Sequence, residues 1–185
     1  MNKHLSRSKN RKGVIRIRTK APDGMNIDGI VLQEARSFVS LLVVEDFEPD
    51  GIVVVPKKWI KGIRDGKFEA CATEMIRFSG TLERTEPFAW PSNLTSLAEV
   101  CAYLKERDIW PAVEIIYNGD DSAFYIGPIT EISKRSLRLY CYDAAGQWEK
   151  EYEIDFAEIF RIEFESRYTR NFNAFMKTRP KPNPV

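Results

Sequence analysis

An internal repeat restricts the fold of this chain more than any other feature of its sequence. When the sequence is shifted by 98 residues, the segment 13–46 aligns with 111–144, and Gly29 falls on Gly127. Shifts of 99 and 100 extend the match, with both insertions in predicted loops and with apolar residues at the matched positions. Few residues are identical, but self-similarity of this kind is typical of duplicated structural units. We therefore predict two copies of one small unit.

Each copy predicts five short strands followed by an amphipathic helix, because short apolar or alternating runs give way to a helical period. A glycine inside the second strand, Gly29 or Gly127, is typical of a bulge or a sharp bend, as at the corner of a barrel. The predicted fold class is mainly β with α (α+β). It consists of two tandem five-stranded small barrels, each closed by a C-terminal helix, with one linker helix.

The closing helices each carry an apolar stripe at helical spacing. The stripe residues are Phe68, Cys71, Ala72, Met75 and Ile76 in the first copy and Tyr168, Phe172, Phe175 and Met176 in the second. We predict that both stripes pack in the core, since a barrel of about 55 residues buries too little surface to be stable alone. The alternative is that a stripe forms a face for a partner.

The repeat also predicts how the chain is divided. The predicted segments are a basic tail (1–12), the first barrel with its helix (13–78), a linker with an amphipathic helix (79–109), the second barrel with its helix (110–177) and a proline-rich tail (178–185). Within the linker, Ser96 and Glu99 form a capping-box pattern, which predicts that a helix begins there.

The formal net charge of +1 conceals an uneven distribution of charge. Residues 1–20 and 167–185 contain 13 of the 28 basic residues and no acidic residue. The body between them holds all 27 acidic residues against 15 basic ones, which gives it a net charge of −12. An acidic body of this kind favours a basic partner.

The rare residues exclude several kinds of chemistry. His4 is the only histidine and lies in the basic tail, so a catalytic triad, a Cys-His pair and a histidine-rich zinc site are excluded. The glycine-rich patterns of phosphate-binding and dinucleotide-binding loops do not occur in the sequence. We therefore expect no enzymatic activity, no metal site and no cofactor.

The cysteines and the N-terminus bear on the compartment. Cys71, Cys101 and Cys141 are far apart and odd in number, which predicts buried free thiols in a reducing environment. The basic N-terminal stretch is not followed by the apolar run of a signal peptide, and no segment reaches the length of a membrane span. We expect a cytoplasmic protein without membrane contact.

Several segments of each copy resemble the first motif of the Sm-like family of small barrels. They are Val14–Ile17, Asp23-Gly24, Gly29 and Val39–Val43 in the first copy, and Val113–Ile116, Asp120-Asp121, Gly127 and Leu137–Cys141 in the second. The segment 55–60, with Pro56 and Trp59, is also similar to the final turn of Src-homology-3-like barrels. The strand–turn–helix ending resembles an uncharacterised group of bacterial proteins, which implies no activity.

Protein binding is the function that the sequence favours. We expect a non-catalytic interaction or adaptor protein whose acidic body binds a protein partner of basic character. Phe47 and Trp148 fall in comparable predicted hairpin loops among acidic residues, which suits an aromatic anchor with a charged rim. The candidate interaction residues are Phe47, Asp50, Trp148 and Glu149. The alternative is that each ring folds back over the edge of its own barrel.

Nucleic-acid binding is the alternative function. The Sm-like resemblance implies RNA binding through loop residues, here 35–37 and 133–135, which lack the Asp and Asn of the family pattern. Basic side chains near these loops and in the N-terminal tail would neutralise phosphates. The candidates are Lys9, Arg11, Lys12, Arg36, Lys134 and Arg135.

A carboxylate enzyme is a third hypothesis. Glu149, Glu151, Glu153 and Asp155 alternate along one predicted strand, so their side chains would line one face. A solvated strand edge that discourages aggregation explains the same residues without any chemistry.

Overall fold

The computed structural model describes residues 13–22, 24–81, 90–91, 93–117 and 121–181. The chain divides into two compact units, residues 1–95 and 96–185, called here the first and the second unit. Of the described residues, 47% are in strands and 23% in helices. The basic tail with Lys9, Arg11 and Lys12, and the turn residues 118–120, lie outside the described residues.

The first unit contains an antiparallel sheet and one α-helix. Its elements are β1 (Val14–Thr19), β2 (Asn26–Glu34), β3 (Phe38–Glu45), β4 (Glu48–Pro56), a 3-10 turn (Lys57–Trp59), β5 (Ile60–Arg64) and α1 (Lys67–Phe78). The strand order is β5-β1-β2-β3-β4. Each strand therefore pairs with its neighbour in sequence except β5, which returns to the outer side of β1.

The apolar runs of β3 and β4 are buried on both faces of this sheet. One face carries a core with Ile15, Ile17 and Leu41, and the other packs Leu42 against Ile76 of α1. A strand covered on both sides reads as a continuous apolar run rather than an alternating one. The sequence of β4, with Ile52 to Val55 all apolar, fits this position.

The second unit contains six strands and two α-helices. They are α2 (Leu97–Glu106), β6 (Ala112–Tyr117), β7 (Asp121–Ile126), β8 (Ile129–Ile132), β9 (Ser136–Tyr142), β10 (Trp148–Asp155), β11 (Ile159–Phe164) and α3 (Arg167–Lys177). Two antiparallel strand groups occur, with orders β11-β6-β7 and β10-β9-β8. Helix α2 begins at the predicted cap, where the Glu99 amide donates to Ser96 Oγ over 3.2 Å, and packs against β8 and β9.

The prediction of two five-stranded barrels is wrong. In the first unit the described sheet is open, with β5 and β4 at the two ends of its strand order. In the second unit the strand expected around Gly127 is divided into β7 and β8, which lie in different strand groups. Pro128 has no N–H to donate and Gly127 has a φ of 151°, so a regular ladder cannot continue through this dipeptide.

The two matched glycines lie where a neighbouring strand crosses closely. A Cβ atom on Gly29 would lie 2.5 Å from the carbonyl oxygen of Leu42, and one on Gly127 would lie 2.2 Å from that of Tyr140. Leu42 and Tyr140 are themselves 98 residues apart. Both positions therefore require glycine for the same reason, which is the approach of the adjacent backbone.

The prediction that the helix stripes form the core is wrong for most of α1, and also for Tyr168 and Phe175 of α3, which are exposed. The buried residues of α1 are Glu69, Thr73 and Ile76, whereas Phe68 and Met75 of the predicted stripe are exposed. Polar bonds explain this rotation, because Thr73 Oγ1 accepts from the Val14 amide over 2.9 Å and Glu69 is bonded at the helix start. None of the α-helices in the described ranges combines the length and apolar composition that crossing a bilayer demands.

Candidate functional site

Phe47 lies at the tip of the hairpin between β3 and β4. Glu45 pairs with Glu48, so the turn consists of Asp46 and Phe47 alone, with φ values of 48° and 65°. Tight turns of this type need two left-handed residues and normally use Asn, Asp or Gly. A phenylalanine there is unusual, and its ring is 44% exposed. The hairpin thus holds an aromatic ring out of the core at a cost in backbone strain.

The outward face of α1 carries further exposed apolar side chains. Phe68 is 65% exposed, Met75 42% and Phe78 96%, and Cys71 between them is also exposed. Their spacing of three or four residues places them on one side of the helix. Together with Phe47, which shares two clefts with this face, they form what we call the Phe47–α1 patch: Phe47, Phe68, Cys71, Met75 and Phe78.

The first cleft of the patch is apolar with an acidic rim. Its volume is about 350 Å³. It is lined by Phe47, Glu48, Cys71, Glu74, Met75, Phe78 and Ser79. The carboxylates of Glu48 and Glu74 are its charged side chains, so the cleft suits an apolar group that carries a positive charge beside it.

The second cleft, of about 360 Å³, also borders Phe47 and contains two ion pairs. The Arg16 guanidinium donates to Asp28 from Nε over 2.6 Å and from Nη2 over 2.5 Å, and this pairing raises the pKa of Arg16. Arg64 Nε donates to Glu69 Oε1 over 2.6 Å. These four charges are therefore already matched with one another.

Glu69 is the most deeply buried charge of this cleft. Burial opposes its ionisation, but hydrogen bonds from Arg64 and from the Gly66 amide outweigh burial, and its pKa lies below the usual range. Glu69 therefore acts as an ionised structural anchor for the start of α1. Both carboxylate oxygens of Glu69 accept hydrogen bonds, Oε1 from Arg64 and Oε2 from the Gly66 amide, so this carboxylate has a structural role.

The hairpin that carries Phe47 is strongly acidic. The segment 45–50 contains four carboxylates and no basic residue. Asp50, one of the predicted interaction residues, lies half-buried in β4, while Asp46 and Glu48 are exposed beside the ring. The structure thus places an exposed aromatic ring beside exposed carboxylates at Phe47, and its role as an interface anchor stays a prediction.

Trp148 has a different position from the one expected for an interface anchor. It is the first residue of β10 and is half-buried, with its ring 5.9 Å from Trp110, 5.4 Å from Tyr140 and 5.7 Å from Tyr142 between centroids. The ring folds back over its own sheet, as in the alternative above. Glu149 beside it is exposed.

The structure does not gather the remaining basic candidates at one site. Arg36 is exposed in the turn between β2 and β3 of the first unit, and Lys134 and Arg135 are exposed between β8 and β9 of the second. Lys9, Arg11 and Lys12 are outside the described residues.

The acidic row of β10 shows no convergence on a common point. Glu153 accepts from Ser136 Oγ over 2.7 Å and from Arg138 over 3.1 Å. Across the part of the chain that the structure describes, no group of three or more His, Cys, Asp or Glu side chains is placed to hold a metal ion. Strand β10 therefore uses these carboxylates as surface charges.

The outward face of α1 is the part of the site that sequence reasoning missed. The apolar stripe predicts that Phe68 and Met75 point inward, but the Gly66 amide donates to Glu69 Oε2 over 2.8 Å and turns Glu69 toward the sheet. A glutamate three residues after a helix start is a recognised capping signal. If Glu69 is taken as a buried capping residue, the helical spacing predicts that its neighbour Phe68 lies on the exposed side of α1.

Comparison of the chain with protein-family models, with curated proteins and with solved structures finds no significant match. A proposal for the function therefore rests on the chemistry of the exposed surfaces described above.

Proposed function

We propose that the chain is a non-catalytic interaction protein whose first unit binds a basic protein partner through the Phe47–α1 patch. The observation that carries this proposal is the concentration of exposed apolar side chains on one face of a small unit. Scattered exposed apolar residues are normal, but a contiguous set beside a cleft is typical of an interaction surface. Aromatic side chains are also the commonest energetic centres of interfaces.

Charge supports a basic partner. Phe47 is flanked by Asp46 and Glu48, and Glu74 lines the same cleft from α1. This acidic end of the patch steers a positively charged group of a partner.

The other end of the patch is basic, since Arg64 and Lys67 lie 5.6 and 5.2 Å from the centroid of the Phe68 ring. Residues 13–95 of the first unit contain 12 acidic and 11 basic residues, so the charge argument rests on the local carboxylates of the hairpin and of Glu74.

The backbone of the hairpin supports an anchor role for Phe47. A two-residue turn leaves its tip little conformational freedom, so that the ring is already placed before a partner binds. Placement in advance reduces the entropy lost on association. An exposed phenylalanine at a left-handed position is costly for folding, which is the pattern expected where strain is retained for function.

The test uses a partner recovered with the full-length chain under salt-tolerant conditions and then purified. Its affinity is measured by calorimetry for the wild type and for the variant F47A/F78A, which we expect to bind at least about tenfold more weakly. Phe124→Ala is the matched control, since Phe124 is a similarly exposed ring, at 47%, in the second unit. Equal affinity of F47A/F78A and wild type, or an equal loss in Phe124→Ala, would sink the proposal.

A charge arm sharpens the same test. The double variant D46N/E48Q keeps the patch and removes two carboxylates beside Phe47. We expect slower association with the purified partner and a weaker dependence on salt, since rim charges act mainly on the association rate. An unchanged rate in stopped-flow or surface-based kinetics would show that the partner is not selected by charge.

Nucleic-acid binding is the second candidate function. Arg36 and Lys134 are matched by the 98-residue shift, and both are exposed in the turn that follows the second predicted strand of their copy. This placement supports the RNA binding that the Sm-like resemblance implies. Retention of single-stranded RNA that falls steeply with salt and is lost in R36A/K134A/R135A would favour it over protein binding.

The compartment belongs to the proposal as well. All three cysteines are free, and Cys71 is exposed in the patch. Free exposed thiols persist in reducing compartments, which supports a cytoplasmic protein.

A further inference from the structure

Three cationic side chains of the C-terminal segment lie over aromatic rings of the second unit. Lys177 Nζ is 4.9 Å from the ring centroid of Trp110, and the Arg179 guanidinium is 4.6 Å from that of Phe175. Lys181 Nζ lies 5.2 Å from the centroid of Trp110 and 5.6 Å from that of Trp148. Distances below about 6 Å allow a cation to interact with the negative face of a ring. Lys181 thus has two tryptophan rings as neighbours.

The two tryptophans form a corner rather than a flat surface. Their centroids are 5.9 Å apart and their planes are inclined by 62°. Behind Trp148, Tyr140 is stacked at 5.4 Å and Tyr142 meets it edge-on at 5.7 Å. The walls of the corner are therefore held in place by the packing of the unit, whether or not a cation is present.

A carboxylate completes the corner. Asp108 Oδ1 accepts from Trp110 Nε1 over 2.6 Å, and Asp108 Oδ2 accepts from Lys177 Nζ over 2.7 Å. The first bond fixes the orientation of the Trp110 ring, and the second pairs the carboxylate with Lys177, whose Nζ lies over the same ring. Aromatic rings with a nearby carboxylate are the groups that recognise ammonium cations.

Trp148 carries an unusual cost at this place. Its Nε1 is buried and has no hydrogen-bond partner among the described residues. A phenylalanine would fill the cluster without a buried unpaired donor. Tryptophan, however, offers the strongest cation-binding face of the aromatic residues. A cation-binding role of the Trp148 ring face would explain why tryptophan is present here in spite of the buried, unpaired Nε1 donor.

We propose that Trp110 and Trp148, beside the Asp108–Lys177 ion pair, form a binding site for alkylammonium groups, which the chain's own Lys181 occupies in this structure. The ligand that this site would take from outside is a lysine side chain of another molecule. Lys181 then acts as an internal competitor that must leave before an external lysine binds.

The contacts of Lys181 make such an exchange feasible. Lys181 is exposed and lies four residues beyond the end of α3. The path of the segment is anchored by Arg179, whose Nη1 donates to the Gly146 carbonyl over 2.9 Å. A tethered side chain has a high effective concentration at its site, although each of its contacts is weak. Removing the Lys181 side chain should therefore open the site to a free ligand.

The experiment uses the full-length chain labelled with ¹⁵N and follows the indole N–H resonances of Trp110 and Trp148. Wild type, Lys181→Ala and Lys150→Ala are titrated with n-butylammonium chloride at constant ionic strength. Lys150→Ala is the matched control because Lys150 Nζ lies 5.1 Å from the ring of Tyr152, away from the site. We expect the apparent Kd for n-butylammonium to be at least about threefold lower in Lys181→Ala than in wild type or Lys150→Ala.

The neutral analogue butan-1-ol separates charge recognition from apolar contact. We expect it to leave both indole resonances of Lys181→Ala unshifted at concentrations where n-butylammonium saturates them. Equal shifts with the alcohol, equal affinity in all three proteins, or no saturable shift in Lys181→Ala would each overturn the proposal.

A second substitution tests the wall of the site. In the background of Lys181→Ala, Trp148→Phe retains an aromatic ring in the cluster but weakens its face, and we expect the Kd for n-butylammonium to rise about threefold. The Trp110 resonance reports both binding and folding in this protein. An unchanged Kd with a folded spectrum would contradict the assignment of Trp148 to the site.

Discussion

The helices α1 and α3 end the two predicted copies of the repeat, and both leave large apolar side chains exposed, to different extents. On α1, Phe68, Met75 and Phe78 meet solvent. On α3, Phe172 meets Tyr142 and Tyr168 edge-on, at 4.8 and 5.8 Å between centroids. Tyr168 and Phe175 of α3 are still 50% and 46% exposed. The difference between the helices therefore lies in Phe172, which packs against rings of its own unit, and in Phe78 of α1, which is 96% exposed.

The inward faces of the same helices are alike. Thr73 and Asn173 are 100 residues apart, and each bonds backbone near the first strand of its copy. Thr73 accepts from the Val14 amide, and Asn173 Nδ2 donates to the Trp110 carbonyl over 2.8 Å. The residues that dock the two helices therefore play similar parts, and the two units differ mainly in the residues of the outward faces.

The largest effect is expected from Gly127→Ala, which should break the second unit alone. The added Cβ would lie 2.2 Å from the Tyr140 carbonyl oxygen at a φ of 151°, so we expect a loss of more than about 3 kcal/mol in the stability of this unit. The indole resonances of Trp110 and Trp148 should collapse in NMR spectra while those of Trp59 and Trp90 persist. Gly80→Ala, where φ is 65° and no atom lies within 4 Å, is the control and should cost about 1 kcal/mol. Similar damage from both variants would refute this account of Gly127.

The next largest effect separates the covered face from the open one. Trp148→Ala removes a ring packed against three others, and we expect a loss of about 3 kcal/mol. Phe78→Ala removes an exposed ring and should change stability by less than about 0.5 kcal/mol. Urea unfolding followed by the tryptophan resonances of each unit measures both values. Comparable losses would mean that the α1 face is not open in solution.

The acid-dependent effect that comes from Glu69 should be confined to the first unit. The pKa of Glu69 is lowered by folding, so its ion pair stabilises the unit above the ordinary pKa of 4.5 and the contribution is lost as the pH falls through the lower folded value. Glu69→Gln should cost about 1–2 kcal/mol at neutral pH and flatten the decline of stability below that pH. Thr169 occupies the matched position in the second unit and cannot titrate. Unfolding midpoints between pH 6 and pH 3, with exposed Asp65→Asn as control, give the comparison. A decline as steep as in wild type would contradict the role of Glu69.

The smallest effect has the opposite sign. Phe47 has a left-handed φ of 65°, so Phe47→Gly relieves strain, and we expect the first unit to gain about 1 kcal/mol. Phe47→Ala is the matched control, because it removes the ring without relieving the strain and should bring no gain. Both variants should lose the proposed partner. A stabilised Phe47→Gly that still binds would remove Phe47 from the interface.

Local features of this structure follow from the sequence, and long-range ones do not. The bend glycines, the cap at Ser96 and the order of strands along each copy are matters of short-range sterics and periodicity. Closure of a sheet depends on pairing between distant strands, and the apolar pattern is the same for an open and a closed arrangement. That is why the barrel prediction failed, whereas the element order was predicted except where Gly127 and Pro128 divide one expected strand into β7 and β8.

The candidate site shows the same division. Phe47 stands out in the sequence as an aromatic residue among acids, and the hairpin places it on the surface. The helix residues beside it are not foreseeable from apolar spacing, because the buried bonds of Glu69 and Thr73 decide which face turns inward. The contact of Lys181 with Trp110 and Trp148 joins residues far apart in the chain and leaves no local signature.

The exposure of Cys71 has a practical consequence. Cys101 and Cys141 are buried, and burial raises the pKa of each thiol to about 12, so that both react slowly with electrophiles. Cys71 alone of the three faces solvent, and it lines both clefts beside Phe47. A maleimide dye added to the wild-type chain should therefore couple at this one point. Its fluorescence would then register the arrival of a partner on the patch without any engineered residue.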